Sequence, residues 1–85
     1  MKIIFHTKFY KQYNKLSSDI QALTETKLKI LRIDPYDSRL KTHKLHGSFD
    51  DYWASSVNYE YRIIFKFFEK NQIWLYQIGK HDIYD

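Results

Sequence analysis

The chain has no cysteine, one proline and two glycines in 85 residues. Without cysteine there is no disulfide, no thiolate nucleophile and no zinc–cysteine site, a usage that agrees with a reducing cytosol. Gly47 and Gly79 are too few and too far apart to build a glycine-rich phosphate loop or a G-x-S-x-G nucleophile elbow. Long apolar runs are also missing. The N-terminal "MKIIFHTKFYKQ" places a charge after each short apolar patch, which excludes a transmembrane span and a signal-peptide core. A soluble, cytoplasmic protein with no membrane partner is expected.

What is present is apolar and aromatic. A 44% hydrophobic, 19% aromatic composition is too rich for disorder, and 85 residues are too few to split, so residues 1–85 are expected to form one domain. So small a domain buries proportionally little surface, and its eight Tyr, six Phe and two Trp must supply much of the packing. Fourteen Lys and Arg against ten Asp and Glu give a net charge of +4, a balance that favours anionic partners such as nucleic acid or an acidic protein.

The periodicities give an outline. Lys2–Phe5, "KIIF", is β-branched and aromatic and reads as a strand. Phe9, Tyr13 and Leu16 then repeat on one helical face, with Thr7 as a candidate cap. Ser18 and Gln21 have the spacing of a capping box ahead of a second helical stripe, Ile20, Leu23, Ile30 and Leu31, which ends near Arg32 because Pro35 disfavours continuation. The two helices are expected to form a hairpin. "DPYDSRLKTHKLHGSFDD" reads largely as loop, followed by three strands, Tyr52–Val57, Tyr61–Phe68 and Ile73–Ile78, in an antiparallel meander. The expected class is α+β.

The polar residues that interrupt this outline are the candidates for chemistry. Arg62 opens a strand, on the same face as Glu60, Ile64 and Lys66 by alternation. Its charged, planar fork suits bidentate contact with phosphate, and the plain alternative is an idle edge charge. His81 follows the last strand in "GKHDIYD", where a general acid or base is one reading and a surface imidazole the other. Tyr84 can hydrogen bond or stack under a base. "LKTHKLHGSFDDYW" gathers Lys41, His43, Lys44 and His46, either a solvated basic loop or a phosphate-facing one. Four histidines raise the question of a metal, but there is no HExxH motif and no third ligand beside His43 and His46, so none is expected. His6, at the end of the first strand, reads as a structural or capping residue.

Three segments together, "H-x-L-x-G" before an aromatic strand, "YRIIFK" and the terminal "GKHDIY", resemble the RelE/ParE superfamily of type II toxin–antitoxin toxins. The likeness follows the element order of the whole chain and is strongest from Leu40 onward. It implies the RelE-like fold and, for most members, an mRNA interferase that cuts mRNA on the ribosome without metal or cofactor and is neutralised by a cognate antitoxin. In that mechanism a base helps the ribose 2′-OH attack the neighbouring phosphate, an arginine stabilises the developing charge, and an acid protonates the leaving 5′-oxygen.

The resemblance assigns His43 as the base, which is histidine in the YafQ-like branch and glutamate in the YoeB-like one, Arg62 as the transition-state arginine, and His81 as the C-terminal histidine. Tyr84 corresponds to the aromatic residue that follows it, and Glu60 to an acidic residue of the YafQ-like site. Lys41, Lys44, Lys66 and Lys80 are the expected phosphate contacts. The sequence departs from the pattern in three ways: "WASSVN" lacks the RelE lysines and carries Trp53 and Ser55 there, Ser56 replaces a YafQ-like histidine, and Tyr84 follows His81 by three residues where many relatives have four. The alternative is a ParE-like gyrase inhibitor, or a degenerate module that only binds its antitoxin, since those share the fold without the histidine set.

Overall fold

In a computed structural model the described residues are 1–80. Strand β1, Lys2–Phe5, leads into helix α1, Thr7–Asn14, and helix α2, Ser18–Ile33. Two single 3₁₀ turns, Ser38–Leu40 and Gly47–Phe49, flank a two-residue strand β2, His43–Lys44, before β3, Trp53–Ser56, β4, Tyr61–Phe68, and β5, Gln72–Lys80. The α+β class, the leading strand, the paired helices and the meander are as expected. The sheet differs in two respects. It has five strands in the order β1-β5-β4-β3-β2, and it is mixed, because β1 runs parallel to β5 while the other pairs are antiparallel. The expected loop holds a real edge strand, too short to leave a periodicity.

The helix starts are each displaced by one residue from the sequence reading. His6, not Thr7, caps α1: its extended backbone lets Nδ1 accept the Lys8 N–H at 3.0 Å. Ser17, not Ser18, caps α2, accepting the Ile20 N–H. Gln21 therefore closes no capping box and instead donates from Nε2 to the Tyr13 carbonyl at 2.9 Å. Tyr13 also donates its hydroxyl to Glu25 at 2.7 Å, so the two helices are tied by polar contacts at one end of their apolar faces. Hydrogen bonding to Glu25 pushes the Tyr13 phenol up to about 12, because the carboxylate favours the protonated form. Asp34, extended as a residue before proline tends to be, ends α2.

Both helices pack on one face of the sheet. Phe9 and Leu31 close over Ile63, Phe65, Ile73, Leu75 and Ile78, all of them buried. Among the described residues the opposite face carries a small cluster, Leu45, Ala54 and Ile64, lapped by Phe49, Tyr52 and Tyr76, and no helix covers it. A bulge separates the phases of β5. Ile64 pairs with Gln77 and Phe65 with Leu75, which leaves Tyr76 as the extra residue. Ile73, Leu75 and Ile78 thereby reach the helix side, where strict alternation would have sent Gln77 inward in place of Ile78. Beyond Phe5 no strand flanks β5, and α1 takes over: the Ile78 N–H donates to Gln12 Oε1 at 2.8 Å.

Candidate functional site

None of the five strands contains Asp or Glu, whereas they carry Lys2, Lys44, Arg62, Lys66 and Lys80. Register then decides which cations share the open face. His43 pairs with Ala54, which pairs with Ile64, and both of those belong to the open-face cluster, so His43 stands there too. Arg62 lies two residues from Ile64 and opposite Ser56 and Gly79, on the same face. Strand spacings of about 4.8 Å and a two-residue step put His43 and Arg62 roughly 12 Å apart at Cα.

His43 is exposed, and its Nδ1 lies 3.0 Å from the Lys41 carbonyl oxygen. A carbonyl can only accept, so Nδ1 carries the proton and the neutral ring presents Nε2 as an acceptor, the form a general base requires. Lys41 holds this carbonyl in place from a left-handed backbone, φ 52°, at the end of the first 3₁₀ turn. Arg62 is half-buried. Its NH1 donates to the carbonyls of Asn58 at 2.8 Å, Tyr61 at 3.1 Å and Tyr59 at 3.3 Å, so one arm of the fork clamps the β3–β4 connection. That clamp is neither the idle charge nor a free phosphate fork.

The remaining candidates are dispersed. Glu60 is exposed in the bend before β4, not on the strand, and its N–H is held by the Asn58 side chain at 2.9 Å. It forms no ion pair with Arg62: the one pair within 4 Å among the described residues is Arg39 with Asp37. Hydrogen bonds from Arg39 hold the Asp37 carboxyl down to about 2, and Asp37 in turn raises Arg39. Lys66 is on the open face with its Nζ 5.7 Å from the centre of the Tyr52 ring. Lys44 pairs with Trp53 and Lys80 with Tyr61, two residues packed toward the helices, so these lysines fall on the other face from Arg62. His46 is exposed and precedes the second 3₁₀ turn without capping it. Ser55 is fully buried on the helix side with its hydroxyl unpartnered among the described residues, and Ser56 donates its hydroxyl to the Asn58 carbonyl at 3.0 Å. His81 and Tyr84 lie outside the described residues.

Sequence reasoning missed the aromatic surface of this face. His6 and Tyr76 meet edge to face at 5.3 Å, Tyr76 and Tyr52 at 5.2 Å, and Tyr52 and Phe49 at 5.8 Å between ring centres. Lys8 sets its Nζ 5.1 Å from the centre of the Tyr76 ring. A basic helix start followed by aromatic strands was the available signal, but the face each ring takes depends on the bulge.

A mixed five-stranded sheet with two helices on one face and a cationic, aromatic open face defines the class. This is the fold of the RelE/ParE-type toxins. Aligned structures include a YoeB/ParE toxin from Agrobacterium tumefaciens, 15% identical over 95% of this chain and 99% of that one with a TM-score of 0.82. The archaeal RelE–RelB complex of Pyrococcus horikoshii aligns at 18% identity over 96% of each chain with a TM-score of 0.79. YafQ of E. coli aligns at 21% identity over 94% of this chain and 92% of that one with a TM-score of 0.75. No protein-family model matches the chain, and no curated protein matches its sequence.

Proposed function

We propose that this chain is the toxin of a type II toxin–antitoxin pair and that it cleaves mRNA on the ribosome. The observation that carries the reading is that His43, with Nε2 available as a base, and Arg62 share one face of a sheet whose strands carry no carboxylate. In the proposed reaction His43 takes the proton of a ribose 2′-OH, whose oxygen attacks the adjacent phosphorus. Charge building on the phosphoryl oxygens is stabilised by the guanidinium nitrogens of Arg62 that the carbonyl clamp leaves over. His81 returns a proton to the departing 5′-oxygen, leaving a 2′,3′-cyclic phosphate. Glu60 assists as a second acidic group, Tyr84 packs against a substrate base, and Lys41 and Lys66 contact phosphates, while Lys44 and Lys80 stand on the other face of the sheet.

The proposed antitoxin would oppose its carboxylates to this cationic face. Apolar surface for such a partner is available elsewhere, in an open groove of about 440 Å³ lined by Ile3, Phe5, Leu28 and Ile33, the last 85% exposed. The engagement of Arg62 NH1 with three carbonyls favours a second reading, a ParE-like inhibitor or a degenerate module that binds without cutting.

Single-turnover cleavage on programmed ribosomes separates the two. His43→Ala and His81→Ala should each lower the rate by about 10²- to 10⁴-fold, His43→Glu should retain part of it, and His46→Ala should cut at the wild-type rate. No cleavage by the parent protein would favour the binding module, and wild-type rates in both alanine variants would overturn the roles given to His43 and His81.

A further inference from the structure

The open face holds more than a cutting pair. Along it, away from Arg62, aromatic rings gather around the Leu45, Ala54 and Ile64 cluster, and the charged residues of the strands are all cationic. Tyr52 and Tyr76 form a tilted pair at 5.2 Å, each with an ammonium within 6 Å of its ring, Lys66 on one and Lys8 on the other. Further along β4 and β5, Phe68 and Trp74 stack at 4.7 Å with only 26° between their planes, and both are more than a third exposed. Trp74 pairs with Lys66 across the ladder and with Ile4 on β1. A recess of about 230 Å³ lies beside it, lined by Ile4, Phe5, His6, Thr7 and Trp74. The His6 tautomer is fixed by its capping role: Nδ1 accepts from Lys8, so in the neutral ring Nε2–H is a donor. From Arg62 to Phe68 the strand advances six residues, roughly 20 Å, the reach of a few nucleotides of extended single strand.

Two half-buried tyrosine rings beside ammonium groups and an exposed indole further along, on a sheet whose strands carry no carboxylate, fit a ligand that is both polyanionic and aromatic. Resting on the ribonuclease reading above, we infer that Tyr52, Tyr76 and Trp74 form a stacking track for the unpaired bases of RNA, with a base entering the His6–Trp74 recess and Lys8 and Lys66 facing the phosphates. Stacking of this kind tolerates any base sequence, because every base offers a π-face. An acidic polypeptide would satisfy the lysines and leave the rings without flat partners.

Trp53 packs toward the helices and Trp74 toward the open face, which gives a direct probe. In a Trp53→Phe background, the fluorescence of Trp74 is followed while a single-stranded RNA octamer is added, with a duplex of the same sequence and an oligoglutamate of equal charge as comparisons. The octamer should quench Trp74, and the duplex should bind more weakly because its bases are already stacked. In binding measured by anisotropy of a labelled octamer, Trp74→Ala and Tyr76→Leu should each weaken affinity by about 10- to 100-fold. Tyr59→Ala, at a residue 93% exposed in the bend, should leave it unchanged. Circular dichroism verifies the fold, and leucine at position 76 keeps its apolar contacts with Leu45 and Ile64.

Equal quenching by octamer and oligoglutamate, equal binding of duplex and single strand, or wild-type affinity in both variants would overturn the track. The cleavage assay is independent of these readings. Octamer binding that depends on Trp74 and Tyr76 in a protein that cuts nothing upholds the track and removes the ribonuclease; cleavage with no octamer binding does the reverse.

Discussion

At the scale of single residues, two side chains have roles that their neighbours in sequence do not announce. Arg62 uses one nitrogen on the loop carbonyls of Asn58 and Tyr59 and on that of Tyr61 at the start of β4, so its charge also holds the β3–β4 connection together. Arg62→Lys keeps a cation but cannot serve several carbonyls from a planar fork. It should lose cleavage and also about 1.5–3 kcal/mol of stability, visible as a lower melting temperature and as faster amide exchange in residues 57–61. Ser55 presents the opposite case, a hydroxyl buried beneath the helices with no partner among the described residues. Desolvating that group is unfavourable by about 1–3 kcal/mol, so Ser55→Ala should raise stability in denaturant titration, or at the least leave it unchanged, with no effect on RNA binding.

At the scale of elements, the helix pair is held at one end by Tyr13, whose hydroxyl reaches Glu25 on α2 while its carbonyl accepts from Gln21. The phenol titrates at 10.0 in ordinary surroundings and at about 12 here. A raised pKa means the native state favours the protonated form, so this contribution is fully present below pH 10 and lost as pH rises toward 12. Tyr13→Phe should be less stable than the parent by about 1 kcal/mol at neutral pH, and urea midpoints of the two proteins should converge between pH 10 and 12. Opposite behaviour is expected of Asp37, whose depressed pKa gives stability present above the usual carboxylate range and lost as pH falls toward 2. That pair sits at the surface, with Arg39 largely exposed, and contributes little.

At the scale of the whole molecule, the distribution of charge matters more than its sum. Net charge is +4, yet among the described residues the carboxylates are confined to helices, turns and connections while the strands carry only cations. Lys66 shares the open face with Arg62, whereas Lys44 and Lys80 project from the other side of the same strands. Lysines that meet RNA phosphates release counterions, and those that do not are silent in salt dependence. Lys66→Ala should therefore reduce the slope of log affinity against log salt by about 0.7 for a single-stranded octamer, and Lys44→Ala and Lys80→Ala should leave it nearly unchanged. Equal slopes for all three would place the RNA elsewhere.

Much of this architecture is a local consequence of the sequence. "KIIF" has little choice but a strand, Pro35 stops a helix whatever surrounds it, and three aromatic, β-branched runs with short polar breaks fold back on one another as a meander. Residue types alone also made His43 and Arg62 candidates, and the residues around them carried the resemblance to a fold that the structure bears out. What needed tertiary structure was every question of face and partner. A two-residue strand at His43–Lys44 has no period to read, and it exists because β3 offers it an edge. The bulge at Tyr76 shifts the alternation of β5 by one residue, turning Ile78 into the core and leaving Tyr76 to join His6 and Tyr52 outside it. The parallel pairing of β1 with β5 brings residues 70 positions apart side by side, His6 against Tyr76. Periodicity is a property of neighbours along the chain. Which face is open, and what meets on it, is decided by contacts between strands that the chain order keeps apart.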